Sequence, residues 1–154
     1  MITVKFRYTE DCDRAIPPPV RRSDGAAGWD IRANLVSAYR KTGMMIEPRK
    51  VVPIPTGIAI EIPSGFECQI RSRSGIVKNH SVFVINSPGT VDSDFRGELN
   101  VLLANFGDQT FLVEHGDRVA QLIFSAVPDV ELVETERLSQ TKRGDRGLGS
   151  TGKN

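Results

Sequence analysis

The chain contains the stretch Gly89-Thr90-Val91-Asp92-Ser93-Asp94-Phe95-Arg96-Gly97-Glu98-Leu99, a turn bounded by glycines. Apolar, β-branched-rich runs flank it at residues 82–85 and 99–103. Two such runs around Gly, Pro and Asp residues predict a β-hairpin. Its tip could hold Asp92 as a general base beside a small polar ligand. Alternatively, Asp92 and Asp94 only cap the turn through side-chain hydrogen bonds to the backbone.

Outside this stretch, strand periodicity dominates the chain. Apolar residues alternate with polar ones in three further runs, at Ile2, Val4, Phe6 and Tyr8, at Ile58, Ile60 and Ile62, and at Phe66, Cys68 and Ile70. Turn-forming Gly, Pro, Asn and Asp residues separate these runs at short intervals. This spacing predicts an all-β sandwich, jelly roll or small barrel. We place one short helix, which starts near Ser74 and continues through residues 77–78.

Length and charge limit the function classes. The 154 residues suit one domain. The chain has 20 Lys and Arg against 19 Asp and Glu, so bulk charge gives no reason to expect a nucleic-acid partner. Residues 137–154, however, carry five cationic residues and one acidic residue. This basic, glycine-rich end suggests a local anionic ligand.

The cysteines and histidines predict no zinc site, because Cys12, Cys68, His80 and His115 lack metal-ligand spacing. We expect Cys68 to act as a small core residue. No signal-peptide pattern or membrane-spanning apolar run is seen, so we expect a cytoplasmic protein without a membrane partner. Residues 139–154 lack apolar side chains except Leu148. We therefore divide the chain into a β-barrel domain, residues 1–138, and a flexible C-terminal tail, residues 139–154.

Four other segments carry polar groups with two possible roles. Arg73-Ser74-Gly75 follows a strand and suits either an anion site or an ordinary helix start. Asp30 lies among apolar neighbours and requires either a cationic partner or the water shell of a divalent ion. Gln121 is an amide within the strand that follows residues 116–118. Residues 143–152 combine Gly, Ser, Thr and Arg, as in a phosphate-binding loop or a disordered tail.

Taken in order, residues 27–33, 73–75, 89–98, 116–121 and 143–152 resemble the five motifs of the trimeric dUTPase family. The resemblance extends from about Val20 to the C-terminus. It implies a jelly-roll-like β-barrel that forms a homotrimer, with each active site built from several subunits. It also implies hydrolysis of dUTP to dUMP and pyrophosphate with Mg²⁺, which limits uracil in DNA and supplies dUMP for thymidylate synthesis.

The same resemblance implies roles for individual residues. Asp92 would activate the water that attacks the α-phosphorus, and Asp30 would hold Mg²⁺ through water. The substrate-binding set falls into three groups, with Arg73, Ser74, Gly75 and Gln121 at the phosphates, Asn86, Gly89, Thr90, Val91 and Phe95 at the nucleoside, and Arg143, Leu148, Gly149, Ser150 and Thr151 in the closing tail.

Three positions depart from the family pattern. Phe95 stands where Tyr is usual, Leu148 where a Phe usually stacks over uracil, and Arg146 where Gly is usual. The altered tail motivates a second hypothesis, a nucleotide-binding or regulatory protein with weak catalysis. A third is a dCTP deaminase, which shares the fold, but residues 92–97 match the hydrolase more closely.

Overall fold

The computed structural model describes residues 1–147, and the predicted site residues Leu148, Gly149, Ser150 and Thr151 lie outside them. Within that range the strands are β1 (Lys5–Tyr8), β2 (Trp29–Arg32), β3 (Met44–Ile46), β4 (Val51–Glu61), β5 (Phe66–Arg71), β6 (Val82–Val84), β7 (Gly89–Val91), β8 (Glu98–Asn105), β9 (Phe111–Val113) and β10 (Arg118–Ala126). A single α-helix of this range, α1 (Ser74–His80), begins where the sequence predicts, and a 3₁₀ turn covers Ser37–Tyr39.

Two antiparallel four-stranded sheets form the body of the molecule. Sheet A has the strand order β1-β4-β8-β6, sheet B has the order β2-β10-β5-β7, and β3 pairs with β9. Strands that are adjacent in sequence, such as β4 and β5, lie in different sheets. The chain therefore crosses repeatedly between the sheets, and the predicted jelly-roll-like β fold is confirmed.

The core is a single apolar cluster that draws on both sheets, with Ile54 and Leu103 from sheet A and Cys68 and Leu122 from sheet B. Cys68 is fully buried, as predicted, and burial raises the pKa of its thiol to about 12. Asn105 is buried as well, but its Nδ2 donates to the carbonyl oxygens of Ile46 and Gln109, each at 2.8 Å. The buried Asn105 amide therefore has hydrogen-bond partners within the protein.

The predicted hairpin is present but is more complex than a simple turn. β6 pairs with β8 as expected, with Val84 opposite Leu103. Between them, however, Gly89–Val91 forms β7, which pairs with β5 in the other sheet. Val91 is only 6% exposed, so burial of this side chain in the core favours the crossing. Only residues 92–97 form the turn.

The outer face of sheet A is apolar. Val51 and Pro53 on β4 lie opposite Ala104 and Leu102 on β8, and Phe83 on β6 also pairs with Ala104. Cross-strand partners share one face of a sheet, so these side chains form one surface. Val51 and Pro53 are exposed, and no described residue covers them. A continuous apolar sheet face of this kind indicates a partner surface.

Regular structure ends with β10 at Ala126, and residues 127–147 are exposed and contain neither helix nor strand. The boundary predicted between residues 138 and 139 stays a prediction. Among the described residues, no helix has the length and apolar character needed to cross a membrane.

Candidate active site

Asp30 on β2 is a buried carboxylate, 5% exposed, surrounded by donors. Arg118 Nη1 donates to its Oδ2 at 2.9 Å, and Gln121 Nε2 donates to its Oδ1 at 3.2 Å. Two further guanidinium Nε atoms lie near it, that of Arg73 at 3.6 Å from Oδ1 and that of Arg22 at 3.8 Å from Oδ2. Asp30 thus organises three cations and an amide in one cluster.

The balance of forces on Asp30 keeps it ionised. Burial raises the pKa of the carboxyl. The hydrogen bonds from Arg118 and Gln121, together with the charges of Arg73 and Arg118, act in the opposite direction and outweigh it. The pKa of Asp30 therefore lies below its ordinary value of 3.8. A carboxylate in this state is a fixed negative anchor for the guanidinium groups.

A β-bulge brings both main donors to Asp30. Gln121 pairs with Asp30 across β10 and β2, but the register shifts between Ala120 and Arg118. Val119 is the extra residue, and both Val119 and Ala120 are buried. In a regular strand, residues three positions apart face opposite sides. The bulge turns Arg118 to the same side as Gln121.

Glycine at position 28 leaves room for the amide. A Cβ added to Gly28 would lie 3.1 Å from Cδ of Gln121 and 3.2 Å from its Nε2. Any larger residue would push Gln121 away from Asp30. On the opposite side of the cluster, Arg73 immediately precedes α1, and its Nη1 donates to the Arg118 carbonyl at 2.9 Å. Backbone and side-chain contacts therefore both fix the arginines.

The arginines open into a cleft of about 310 Å³. Arg32, Arg73 and Arg118 line it, together with Gly75 on α1. Ser74, at the start of α1, is exposed beside Gly75. Guanidinium groups pair well with phosphate oxygens, so this part of the structure suits a polyanionic ligand.

The turn at residues 92–97 is held without the help of its carboxylates. Phe95 N donates to the Asp92 carbonyl at 3.2 Å. Arg96 Nη1 donates to the carbonyl oxygens of Ser93 and Phe95, at 2.7 and 2.8 Å. The side chains of Asp92 and Asp94 are exposed and form no hydrogen bond within the described part of the chain. The capping interpretation is therefore wrong, and the Asp92 carboxylate is free to act on a ligand.

The strand before this turn offers a hydrogen-bonding edge. β7 is the last strand of sheet B, so one side of its backbone is unpaired within the described residues. The Asn86 amide lies beside it, since a Cβ on Gly89 would lie 3.0 Å from Asn86 Nδ2. The Phe95 ring packs onto Gly97, where a Cβ would lie 2.6 Å from Cζ of Phe95. An amide, a strand edge and a ring thus lie in the segment on either side of Asp92.

The predicted residues therefore form two groups. Arg73 and Gln121 both approach Asp30, with Ser74 and Gly75 at the neighbouring cleft. Asp92 lies apart from Asp30, just after β7, together with Asn86, Gly89, Thr90, Val91 and Phe95. With strands about 4.8 Å apart and residues about 3.3 Å apart along them, Asp92 lies roughly 20 Å from Asp30. One chain does not unite the two groups.

Outside both groups, Arg143 Nε donates to the Arg146 carbonyl at 3.0 Å, and Arg146 Nε donates to the Arg143 carbonyl at the same distance. Two partners of Asp30, Arg118 and Arg22, were not predicted from the sequence. Arg118 lies in the fourth motif, but no role was predicted for it. Only the β-bulge explains why its side chain points toward Asp30. Arg22 carried no signal in the sequence.

We expect Asp30→Asn to lower the free energy of unfolding at pH 7 by about 1–3 kcal/mol, because it leaves Arg73 and Arg118 without their counter-charge. The folded-state pKa of Asp30 is lowered, so its contribution is present above pH 3.8 and is lost as the pH falls through the folded value. Urea unfolding between pH 7 and pH 2 should show the variant approaching wild type at the acidic end.

The matched control is Glu61→Gln, which breaks the exposed Lys5–Glu61 pair, 2.8 Å between Nζ and Oε1. Exposed ion pairs contribute little to stability, so this variant should follow the wild-type curve closely. Equal losses in the two variants would contradict a special role for Asp30.

Known proteins resemble this chain over most of its length. The dUTPase family model matches residues 14–152. A deoxyuridine 5′-triphosphate nucleotidohydrolase of Caldanaerobacter subterraneus is 44% identical over 151 residues, covering 98% of each chain. The dUTPase of Staphylococcus bacteriophage 80alpha, solved with dUPNHPP, has a TM-score of 0.79 at 23% identity and covers 99% of each chain.

A second solved structure, a dUTPase variant from phage phi11 of S. aureus with a coordinated structural Mg(II) ion, has a TM-score of 0.70 at 21% identity. It covers 88% of this chain and 98% of its own. At these identities the two phage structures show the shared fold. The family model and the bacterial relative match this chain in sequence as well. The protein therefore belongs to the dUTPase family.

Proposed function

We propose that this protein hydrolyses dUTP to dUMP and pyrophosphate. One observation carries the proposal, namely that the family match over residues 14–152 includes both groups of site residues. The exposed Asp92 turn supplies a free carboxylate, and the cluster around Asp30 supplies cations for a triphosphate. Attack by water on so anionic a substrate needs a positioned base and distributed positive charge.

We assign uracil and sugar recognition to the edge of β7. Its unpaired backbone groups and the Asn86 amide can form hydrogen bonds with the pyrimidine, as a pairing base would. Cytosine would present a donor where the site expects an acceptor, and such a mismatch costs orders of magnitude in selectivity. Phe95, held on Gly97, would lie under deoxyribose and leave no space for a 2′-hydroxyl. The ring alone suffices for this contact.

Asp92 is assigned the role of general base. Its carboxylate would accept a proton from the water that attacks the α-phosphorus, while the P–O bond to the pyrophosphate group breaks. The contacts of Arg96 with Ser93 and Phe95 hold the turn and so limit the movement of the base. A positioned base contributes a factor of about 10² to 10⁴ to the rate.

The phosphate chain is assigned to Arg73, Ser74, Gly75 and Gln121. A magnesium ion would neutralise part of the phosphate charge. The described residues include no cluster of three or more His, Cys, Asp or Glu that could hold it, and the Asp30 oxygens already accept from Arg118 and Gln121. This donor set fits an ion carried by the triphosphate, with Asp30 reached only through the waters of the ion.

We propose a homotrimer with shared active sites. Two observations support assembly, the exposed apolar face of sheet A around Val51 and Phe83, and the separation of Asp92 from Asp30. Association of subunits through the apolar face would bury it. In the proposed trimer, Asp92 of one subunit would lie near Arg73 of another and would thereby complete a site that one chain lacks.

The C-terminal tail is proposed to close over the site of a neighbouring subunit. Arg143, Ser150 and Thr151 would bind the β- and γ-phosphates, while Leu148 and Gly149 would cover the uracil. Arg143 bonds only to nearby tail residues within the described part of the chain, which leaves it available to a substrate. Closure would exclude water and strengthen each charge interaction.

We place the enzyme in the cytoplasm, where it would meet the nucleotide pool. There it would limit uracil in DNA and supply dUMP for thymidylate synthesis. The three departures from the family pattern, at Phe95, Arg146 and Leu148, do not replace Asp92 or any residue of the Asp30 cluster. We therefore favour an active hydrolase over a binding protein with weak catalysis.

Pyrophosphate release from dUTP and Mg²⁺ tests the activity directly. We expect robust release by the wild type and a kcat at least about 10²-fold lower for Asp92→Asn, because the base is lost. Asp94→Asn is the matched control, since its carboxylate lies two residues away and is equally exposed. Release no faster in the wild type than in Asp92→Asn would refute the proposal.

Mixed trimers test the shared site. Asp92→Asn and Arg73→Gln chains should each be nearly inactive alone. When they are co-expressed and assemble at random, about a quarter of the sites combine an intact Asp92 with an intact Arg73 from different chains. Recovery of about that fraction of wild-type activity is expected. Sites contained within one chain would instead give no recovery.

Deletion of residues 142–154 tests the tail. Because the described part of this segment is exposed and bonds only locally, its removal should leave the melting temperature almost unchanged. Turnover of dUTP should fall by at least about tenfold, since the phosphate contacts and the exclusion of water are lost. A truncated protein with full turnover would rule out this role.

A further inference from the structure

Asp13, Asn34 and His115 form a hydrogen-bonded cluster that has no role in the proposed hydrolysis of dUTP. His115 Nδ1 accepts a hydrogen bond from the Leu35 backbone N–H at 3.0 Å, and its Nε2 lies 3.2 Å from Asp13 Oδ2. Since Nδ1 is an acceptor, the ring proton must reside on Nε2, which donates to Asp13. The His115 side chain is 14% exposed. His115 therefore bridges the loop before β2 and the segment after it.

The partner of His115, Asp13, is itself held by three further hydrogen bonds. Asp13 N donates to Asn34 Oδ1 at 2.8 Å, and Asn34 Nδ2 donates to the Asp13 carbonyl at 2.9 Å. The second carboxylate oxygen, Oδ1, accepts from Ala15 N at 2.9 Å. The bonds from Ala15 and from His115 lower the pKa of the Asp13 carboxyl. Each oxygen thus has its own donor, and the carboxylate is committed to His115.

The residues after His115 are locked to the end of β2. Gly116 N donates to the Ala33 carbonyl at 2.9 Å, and Ala33 N donates to the Asp117 carbonyl at 2.8 Å. Arg32 Nη1 donates to the Gly116 carbonyl at 2.5 Å. Arg118, which follows Asp117, is the first residue of the β10 bulge. His115 is therefore the side-chain anchor immediately before the point where the register of β10 shifts.

We propose that Asp13 and His115 are a positioning pair, which fixes the β10 bulge and so directs Arg118 to Asp30. A slip of one residue moves a side chain to the opposite face of a strand. Without the anchor, the segment could lose its bulge, and Arg118 would turn away from the cluster. The catalytic consequence of this inference rests on the proposed dUTP hydrolysis, but the positioning itself does not.

Two variants break the pair in different ways. His115→Ala removes both contacts. Asp13→Asn keeps the size of the side chain but replaces one acceptor by a donor, so that either the Nε2–H of His115 or the backbone N–H of Ala15 loses its acceptor. The matched control is Asp11→Asn in the same loop, because the Asp11 carboxylate is exposed and bonds to none of the described residues.

A double-mutant cycle with Arg118→Ala separates a positioning role of the Asp13–His115 pair from a general destabilisation of the protein. We expect His115→Ala and Asp13→Asn to lower kcat/KM for dUTP about tenfold in the wild-type background and less than about twofold when Arg118 is already absent. Asp11→Asn should have no effect in either background. Equal fold-losses with and without Arg118 would overturn the proposal, since they would show that the pair does not act through Arg118.

An activity-independent readout keeps this inference distinct from the proposed function. In NMR spectra of the full chain, the Arg118 Nε–H signal and the amide exchange of residues 116–120 report the bulge directly. Both should change in His115→Ala and in Asp13→Asn, but not in Asp11→Asn. Unchanged signals in the two variants would refute the positioning role, whereas a wild-type protein that releases no pyrophosphate would refute only the proposed function.

Discussion

The burial of one carboxylate constrains the rest of this structure. Asp30 is almost fully removed from water, and an ionised group in that position requires close partners. Arg118, Gln121 and Arg73 meet this requirement from β10 and from the start of α1. To do so, β10 must bulge, Gly28 must remain small and α1 must start directly after Arg73. The chemistry of one residue thus dictates the local shape of three elements.

A second constraint is that Asp30 lies on one edge strand of sheet B, whereas Asp92 follows the other edge strand, β7. β2 and β7 are the outer strands of sheet B, so Asp30 and Asp92 face different surroundings. Roughly 20 Å separates the two residues along one chain's sheet. The exposed apolar face of sheet A gives a physical reason for association, because its burial removes apolar surface from water.

Much of the candidate site was predictable from the sequence, because its members lie in short motifs. Asp92, Arg73 and Asp30 stood out by residue type within turns or strands, whereas Gln121 was singled out only by the resemblance to the fourth family motif. The strand predictions for residues 58–62 and 66–70 held for the same reason, since alternation reports local burial. The roles of Arg22 and His115 were not predictable, because their partners are distant in the sequence and carry no common pattern.

An all-β fold, one short helix at Ser74 and the identity of the motif residues follow from the sequence, because periodicity and turn chemistry act over a few positions. The pairing of β7 with the other sheet and the direction of Arg118 toward Asp30 emerge only when the chain folds. The same holds for the Asp92 carboxylate, which is left free of the turn. These outcomes depend on contacts between residues far apart in the chain, where burial and hydrogen bonding override local preference.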